Sequence, residues 1–307
     1  MADSPEIVVV GSINLDLSVT VDRFPDPGET LFGHDVQWGG GGKGANQAVA
    51  AARLGRRVAM IGRVGDDEAG RERLAALAAE GIDVDGVAVT DGVASGLAVI
   101  EVETSGENRI VVAPGANGAV SPEDVSAWAG AVADAPVVLA QLEVPTATVE
   151  SLAALPRRGL LLVNPAPATA GYRVEGVDVL VPNRTELALL VDAPVAGSND
   201  EVIDQVVALG TATAGLSAVV ATLGGDGAVV VERPGDGSRS VTPIAAVPVT
   251  PVDTTAAGDS FCGALADALC LGADLVDSAG WAARVAAVTV TRRGAQASLP
   301  TRADVVA

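Results

Sequence analysis

Histidine and lysine are almost missing from this chain of 307 residues: His34 and Lys43 are the only examples, and arginine supplies the remaining positive charge. One imidazole all but excludes a histidine-based metal centre or a Ser-His-Asp triad, and His34 reads as an exposed loop residue. Cysteine is as scarce. Cys262 and Cys270 fall eight apart on a predicted helix, and at ~1.5 Å rise per residue they stand roughly 12 Å apart, beyond disulfide reach. Both read as small core residues. Positive charge is short overall: 19 basic against 39 acidic residues give a net charge of −20. That balance argues against nucleic acid and against an anionic membrane as partners. No run approaches the ~18 uninterrupted apolar residues of a membrane span. The opening Met-Ala-Asp-Ser-Pro-Glu lacks the basic start of a signal peptide, so the expected location is the cytoplasm.

What the chain does have is apolar mass, 49% of its residues, ample for a large core in one α/β domain or two smaller ones. Ile7-Val-Val-Val-Gly11 suits a central strand buried on both faces. From Ala135 onward, Val137–Leu139, Leu160–Val163, Val177–Val181 and Ala218–Thr222 read as strands separated by helical patterns. Such alternation predicts a parallel sheet with ligands at the carboxyl ends of its strands. Val58–Ile61 followed by an acidic helix start forms another βα unit, and Ser95–Glu103 with Asn108–Val112 reads as a hairpin across a turn at 104–108. Ala282–Thr291 reads as the last helix, stopped by Arg292-Arg-Gly294.

The most informative stretch is Val249-Thr-Pro-Val-Asp-Thr-Thr-Ala-Ala-Gly-Asp259, read as an extended segment, a turn with little side-chain bulk, and a helix beginning near Gly258. Val249 and Val252 suit a strand end. Backbone N–H groups at a helix start lack intrahelical partners and favour an anion. A carboxylate in that same turn suits a proton-handling role beside a transferring phosphoryl group, although a plain helix cap is the bland alternative. Asn14 and Asp16 are two apart and project to one side of an extended chain, where an amide and a carboxylate can grip vicinal hydroxyls. Two glycine patterns mislead. Gly39, Gly41 and Gly44 match G-x-G-x-x-G but do not follow the first strand directly, so a nicotinamide-dependent oxidoreductase rests on that weak match alone. The P-loop pattern fails at Gln37 and Gly44. Thr222-Leu-Gly-Gly-Asp-Gly227 reads in isolation as a hairpin turn, and Asn183 with Glu186 as a capping box.

Ala-Ala-Gly-Asp259, Gly-Ser-Ile-Asn14-Leu-Asp16, Gly-Gly-Lys43-Gly-Ala-Asn46, Gln-Leu-Glu143, Asn-Pro-Ala-Pro and Gly-Ala-Gln-Ala-Ser-Leu-Pro300 together resemble the ribokinase-like (PfkB) family of carbohydrate kinases, in order, from about Ile7 to Pro300. The resemblance implies one three-layer α/β/α catalytic domain over 1–307 with a mainly parallel central sheet. It also implies a small β-sheet lid from segments near 17–37 and 95–112, pairing two subunits into a homodimer. It implies a sugar held by Asn14, Asp16, Gly42, Lys43, Asn46 and Glu143. Asp259 is then the general base, with the backbone N–H groups of Ala256, Ala257 and Gly258 as anion hole. Asn183 and Glu186 would lie near Mg²⁺ and the phosphates of ATP, and Thr222, Leu223, Gly224, Gly225, Asp226 and Gly227 would line the nucleotide together with Gly258 and Ala283. Ala283 departs from the His or Asn common in relatives, which bears on donor selectivity. A K⁺ site would draw on Asp253, Thr255, Thr289, Arg292, Gly294 and Ser298. The implied reaction is transfer from ATP to O5 of D-ribose. The alternatives are a family kinase for deoxyribose, fructose, a keto-sugar acid or a nucleoside such as adenosine, or a non-catalytic sugar-binding regulator on the same fold.

Overall fold

The computed structural model describes residues 4–104, 107–170, 172, 175–213, 215–233 and 239–306. The strands are β1 (Ile7–Val10), β2 (Asn14–Val21), β3 (Asp35–Gly41), β4 (Val58–Gly65), β5 (Asp83–Thr90), β6 (Gly96–Glu103), β7 (Asn108–Ala113), β8 (Val137–Gln141), β9 (Leu160–Asn164), β10 (Val179–Leu180), β11 (Ala218–Thr222), β12 (Ala228–Glu232) and β13 (Ser240–Ile244). Nine form one sheet in the order β13-β12-β11-β10-β9-β8-β1-β4-β5, and four form a second in the order β3-β2-β6-β7. In the large sheet β4, β1, β8, β9, β10 and β11 run parallel, with β5 parallel to β4, while β12 and β13 close one edge as antiparallel strands.

The continuous apolar run of β1 is explained by its surroundings, because both faces are covered. Ile7 and Val9 pack into one core, and Val8 and Val10 into the other. The first core lies under the helices Lys43–Arg53, Ala257–Cys270 and Leu275–Thr289; the second lies under Thr146–Ala154, Arg184–Val191 and Asn199–Ala212. The result is the expected three-layer α/β/α arrangement with a smaller separate sheet. Within the first layer, Gly263 lets two helices approach closely. A Cβ there would stand 2.6 Å from the Ala50 Cβ and 2.9 Å from the Gln47 carbonyl oxygen. Neither cysteine is paired; Cys262 is buried, and burial pushes the Cys270 thiol up to about 12.

Several local expectations change. The link from β9 to β10 holds no helix among its described residues, since Pro165 and Pro167 interrupt it at the outset. The strand expected over Val177–Val181 is only Val179–Leu180. Val249 and Val252 are exposed and unpaired with any strand: β13 already ends at Ile244, ahead of Pro248 and Pro251. The last long helix begins at Leu275, where Asp274 accepts a cap hydrogen bond from the Asp277 N–H, and ends at Thr289. The helix after the glycine run starts at Lys43, because Gly39–Gly41 are themselves strand residues paired with β2. Ser105 and Gly106 of the predicted hairpin turn lie outside the described residues. Among the described residues no helix is long and apolar enough to cross a membrane. His34 is exposed and hydrogen-bonded to Asp22.

Candidate active site

The strand order reverses between β1 and β8, since the chain first adds β4 and β5 on one side of β1 and then β8 on the other. In an open parallel sheet, ligands gather at the carboxyl ends of the strands flanking that point. Here those ends carry Ser12 after β1 and Glu143 after β8, and the Ser12 hydroxyl donates to Glu143 Oε2 at 2.5 Å. The Lys43 backbone N–H donates to the same oxygen at 3.0 Å, tying the helix start to both strands. This closeness needs glycine: a Cβ on Gly44 would lie 2.6 Å from the Ser12 nitrogen, and Gly42 has φ 86°.

From this point β2 leads away with Asn14 and Asp16 on one face, as their spacing predicts. Asn14 Oδ1 accepts a 2.7 Å hydrogen bond from the Asn117 amide, which also grips the backbone of Ile13 in both directions. The Asp16 carboxylate lies directly over Gly41, filling the space a Cβ would need. Its Oδ1 is buried with no hydrogen-bond partner among the described residues. Burial first, then the charges of Glu143 and Asp259, push its carboxyl up to about 7, with Arg73 opposing. A buried acceptor without a donor is costly, so this position calls for a hydroxyl-bearing ligand.

The close pair of helices brings the motif around Lys43 onto the turn at Asp259. Asn46 donates to Asp259 Oδ2 at 2.9 Å and Gln47 to Asp259 Oδ1 at 3.2 Å. All three side chains are buried, and Asn46 Oδ1 is a second orphaned acceptor. Burial pulls the Lys43 ammonium down, but Asp259, Glu143 and Glu186 more than offset it and hold the group above the ordinary lysine value. The only lysine in the chain therefore stays charged among three carboxylates. At the turn itself Ala256 adopts the left-handed region, φ 58°, and caps the helix. The Ala257 N–H is engaged by the Thr254 carbonyl at 3.2 Å, whereas those of Ala256, Gly258 and Asp259 have no acceptor among the described residues. The space in front of Gly258 is open, with nothing within 4 Å of an added Cβ. The free donors thus differ by one residue from the expected trio at Ala256, Ala257 and Gly258.

The remaining predicted residues form two further groups. Asn183 and Glu186 build the capping box: Glu186 N–H donates to Asn183 Oδ1 at 2.8 Å, and Asn183 N–H donates to Glu186 Oε2 at 2.9 Å. Burial raises the Glu186 carboxyl, which faces both Lys43 and Asp259, so this pair joins the site electrostatically. Asn183 also bridges Thr222, and Arg184 pairs with Asp226 at 3.0 Å, which holds the 222–227 turn beside it. Gly224 and Gly225 in that turn are exposed, with open space around both. Ala283 packs on the core below. In the second group Asp253 accepts from the Thr255 and Gly294 N–H groups, each at 2.9 Å. Burial works against its charge, yet these hydrogen bonds hold its carboxyl below the usual range. Thr289 and Ser298 spend their hydroxyls on the carbonyls of Val285 and Ala295, and Arg292 pairs with Asp304, so what these three can offer is backbone oxygen, that of Thr289 already accepting from the Arg292 N–H at 3.1 Å. Among the described residues no cluster of three His, Cys, Asp or Glu is disposed for a metal ion.

Sequence reasoning missed Ser12, Asn117, Gln47 and the role of Gln141 and Asn164. Ser12, Gln141 and Asn164 sit inside quoted motifs and Gln47 directly follows one, so polar side chains within runs of small and apolar residues were the available signal. Nothing local marked Asn117, which comes from a different part of the chain.

A three-layer α/β protein with orphaned acceptors at its topological switch point and free N–H groups at an adjoining helix start is built to hold a polyhydroxylated ligand beside an anion. Residues 4–302 match the pfkB family carbohydrate kinases, and the chain belongs to that family. It is 39% identical to a ribokinase of Schizosaccharomyces pombe over 97% of this chain and 96% of that one. It is 38% identical to a ribokinase of Haemophilus influenzae, with the same two coverages of 97% and 96%. A deoxyribokinase of Salmonella typhi is 34% identical over 96% of this chain and 95% of its own. The structure of Arabidopsis thaliana ribokinase complexed with ribose and ATP superimposes with a TM-score of 0.85 at 28% identity, covering 99% of this chain and 98% of the other.

Proposed function

We propose that this kinase transfers the γ-phosphoryl group of ATP to O5 of D-ribose. The observation that carries the reading is that Asp16 Oδ1 and Asn46 Oδ1 are buried acceptors with no partner among the described residues, and that Asn46 is bonded to Asp259 at a helix start with free backbone donors. A sugar supplies hydroxyl donors to those acceptors, and Asn14, Gly42, Lys43 and Glu143 complete its surroundings. Asp259 accepts the O5 proton as the O5–phosphorus bond forms and the bond from phosphorus to ADP breaks. The N–H groups of Gly258 and Asp259 at the helix start stabilise the charge on the transferring phosphoryl, with Ala256 beside them. Asn183, Glu186 and the 222–227 turn with Ala283 serve the nucleotide. Magnesium fits as an ion carried mainly by the nucleotide's own oxygens, with Glu186 the carboxylate offered to it, because among the described residues no three His, Cys, Asp or Glu are disposed to hold a metal. When bound it neutralises phosphate charge.

The oxygen-rich set around Asp253, Thr255 and Gly294, with the backbone of Thr289, Arg292 and Ser298, suits a hard cation, and we assign it to K⁺. The small sheet is a lid over the sugar, within one catalytic domain. Val36, Trp38 and Val111 on one of its faces are exposed and suit pairing with a second subunit. A cytoplasmic location accords with this chemistry. The second reading, deoxyribose, is favoured by the Salmonella relative; a sugar that lacks a hydroxyl leaves a buried acceptor unpaired wherever that hydroxyl was read. ADP release with ATP and Mg²⁺ over ribose, deoxyribose, fructose and adenosine, each in K⁺ and in Na⁺, separates these. Ribose preferred by kcat/KM is the expected result. Preference for deoxyribose moves the substrate, and no turnover of any sugar overturns the reading.

A further inference from the structure

We infer that Gln47 is a positioning residue that anchors one oxygen of Asp259 and leaves the other for the substrate; this rests on Asp259 being the base proposed above. Gln47 is fully buried, and its carboxamide is fully used. Its Nε2 donates to Asp259 Oδ1 at 3.2 Å and to Asn164 Oδ1 at 3.4 Å, and its Oε1 accepts from Gln141 Nε2 at 2.7 Å. The orientation of the amide follows from these partners. Turned over, Gln47 would set its oxygen against the Asp259 carboxylate and its NH₂ against that of Gln141. Gln141 and Asn164 are register partners on β8 and β9, so the sheet itself holds the amide from behind. Asn164 in turn donates to the Val181 carbonyl at 2.9 Å, ending the chain of donors on backbone.

The two oxygens of Asp259 are therefore not equivalent. Oδ1 is held by a residue with no path to a sugar. Oδ2 is held by Asn46, whose other side-chain atom is the orphaned acceptor at the sugar position. A carboxylate oxygen accepts two hydrogen bonds, so Oδ2 keeps the Asn46 bond and has a second lone pair for the reacting hydroxyl, while Gln47 keeps the carboxylate plane from rotating. Holding a reacting group in one orientation is worth orders of magnitude when it is lost.

The test compares Gln47→Met, Gln141→Met and Asp259→Asn by steady-state kinetics and by calorimetric titration with ribose. Gln47→Met keeps the volume and removes the donor, and kcat is expected to fall about 10- to 100-fold while ribose affinity and KM stay within about threefold. Gln141→Met removes only the group that fixes the amide, and kcat is expected to fall less, in the same direction. The double variant should be no worse than Gln47→Met alone, because both act through one hydrogen bond. If Asp259→Asn is inactive but Gln47→Met and Gln141→Met both keep kcat, or both lose ribose affinity in parallel with kcat, the positioning role is overturned and the base assignment stands. If Asp259→Asn itself turns over normally, the base assignment falls and the inference falls with it. Should Gln47→Met not fold, Gln141→Met decides alone, with a fall in kcat at unchanged KM supporting the role and no fall overturning it.

Discussion

The two ends of the site are made of different material. At the proposed sugar end the groups are side chains, buried or half-buried and interlocked: Asn14 is held by Asn117, Glu143 by Ser12, and Asp259 by Asn46 and Gln47. At the proposed nucleotide end they are chiefly backbone: the helix start at Ala256–Asp259 and the exposed turn through Gly224 and Gly225. The difference teaches how each ligand is told from its competitors. Fixed side-chain acceptors reject a sugar that lacks a donor, because an unpaired buried group costs about 1–3 kcal/mol. Backbone donors at a helix end recognise charge and shape, which every nucleoside triphosphate shares.

The comparison is most strongly tested where the two ends meet. Asp259→Asn should lower kcat by about 10²- to 10⁴-fold while ribose titrated calorimetrically still binds. Equal loss of binding and turnover would make Asp259 a sugar ligand only and erase the boundary between the two ends.

The next effect belongs wholly to the sugar end. The Asp16 carboxyl titrates at about 7 in the folded chain against an ordinary 3.8, with Glu143, Asp259 and Arg73 facing it. Between those values the folded chain keeps a proton that the unfolded chain has released. Its contribution to stability is therefore complete below the lower value and lost as pH rises through about 7. Sugar binding runs the other way, because hydroxyl donors need the carboxylate. Ribose KM should be about tenfold higher at pH 6 than at pH 8, and ATP KM should not follow. Asp16→Asn should bind ribose weakly and lose the pH dependence. A pH-independent ribose KM in the unsubstituted protein would remove Asp16 from sugar recognition.

The same contrast explains what was legible in the sequence. Strand β1 was readable because four consecutive apolar residues have few other uses, and Asn14 and Asp16 because period-two spacing puts them on one face. The glycine run offered only misleading pattern matches when read locally, whereas in the fold Gly41, Gly42 and Gly44 stand where a Cβ would collide. Tertiary support was not readable. Asn117 reaches Asn14 across 103 positions, and Gly263 matters only because Ala50 lies opposite. Val249 and Val252 had strand propensity, but Pro248 and Pro251 beside them have no N–H to give a ladder, and the Val252 N–H donates to the Val290 carbonyl instead. At the turn, residue type gave the correct helix start, whereas the engagement of the Ala257 N–H by Thr254 depends on the left-handed geometry of Ala256. An alanine does not announce that conformation.

A smaller effect is expected at the cation group. Asp253 latches the segment before the turn at Asp259 to the loop at Gly294. Asp253→Ala should abolish any difference in rate between K⁺ and Na⁺ and lower kcat several-fold, up to the tenfold that corresponds to about 1.4 kcal/mol. A variant that keeps its K⁺ preference would show that the cation acts elsewhere.

The smallest effect probes the backbone end with two neighbouring glycines. Gly224 has φ 60° and Gly225 has no positive φ, yet an added Cβ at either meets nothing within 4 Å. Alanine at 224 therefore pays only for a left-handed backbone, about 1–2 kcal/mol, and alanine at 225 pays for nothing inside the protein. If the turn recognises ATP through its backbone shape, Gly224→Ala should raise ATP KM a few-fold with ribose KM unchanged, and Gly225→Ala should do neither. Equal damage from both would mean that bulk, not shape, is what the nucleotide cannot tolerate, and that the open space beside Gly225 is where the nucleotide lies.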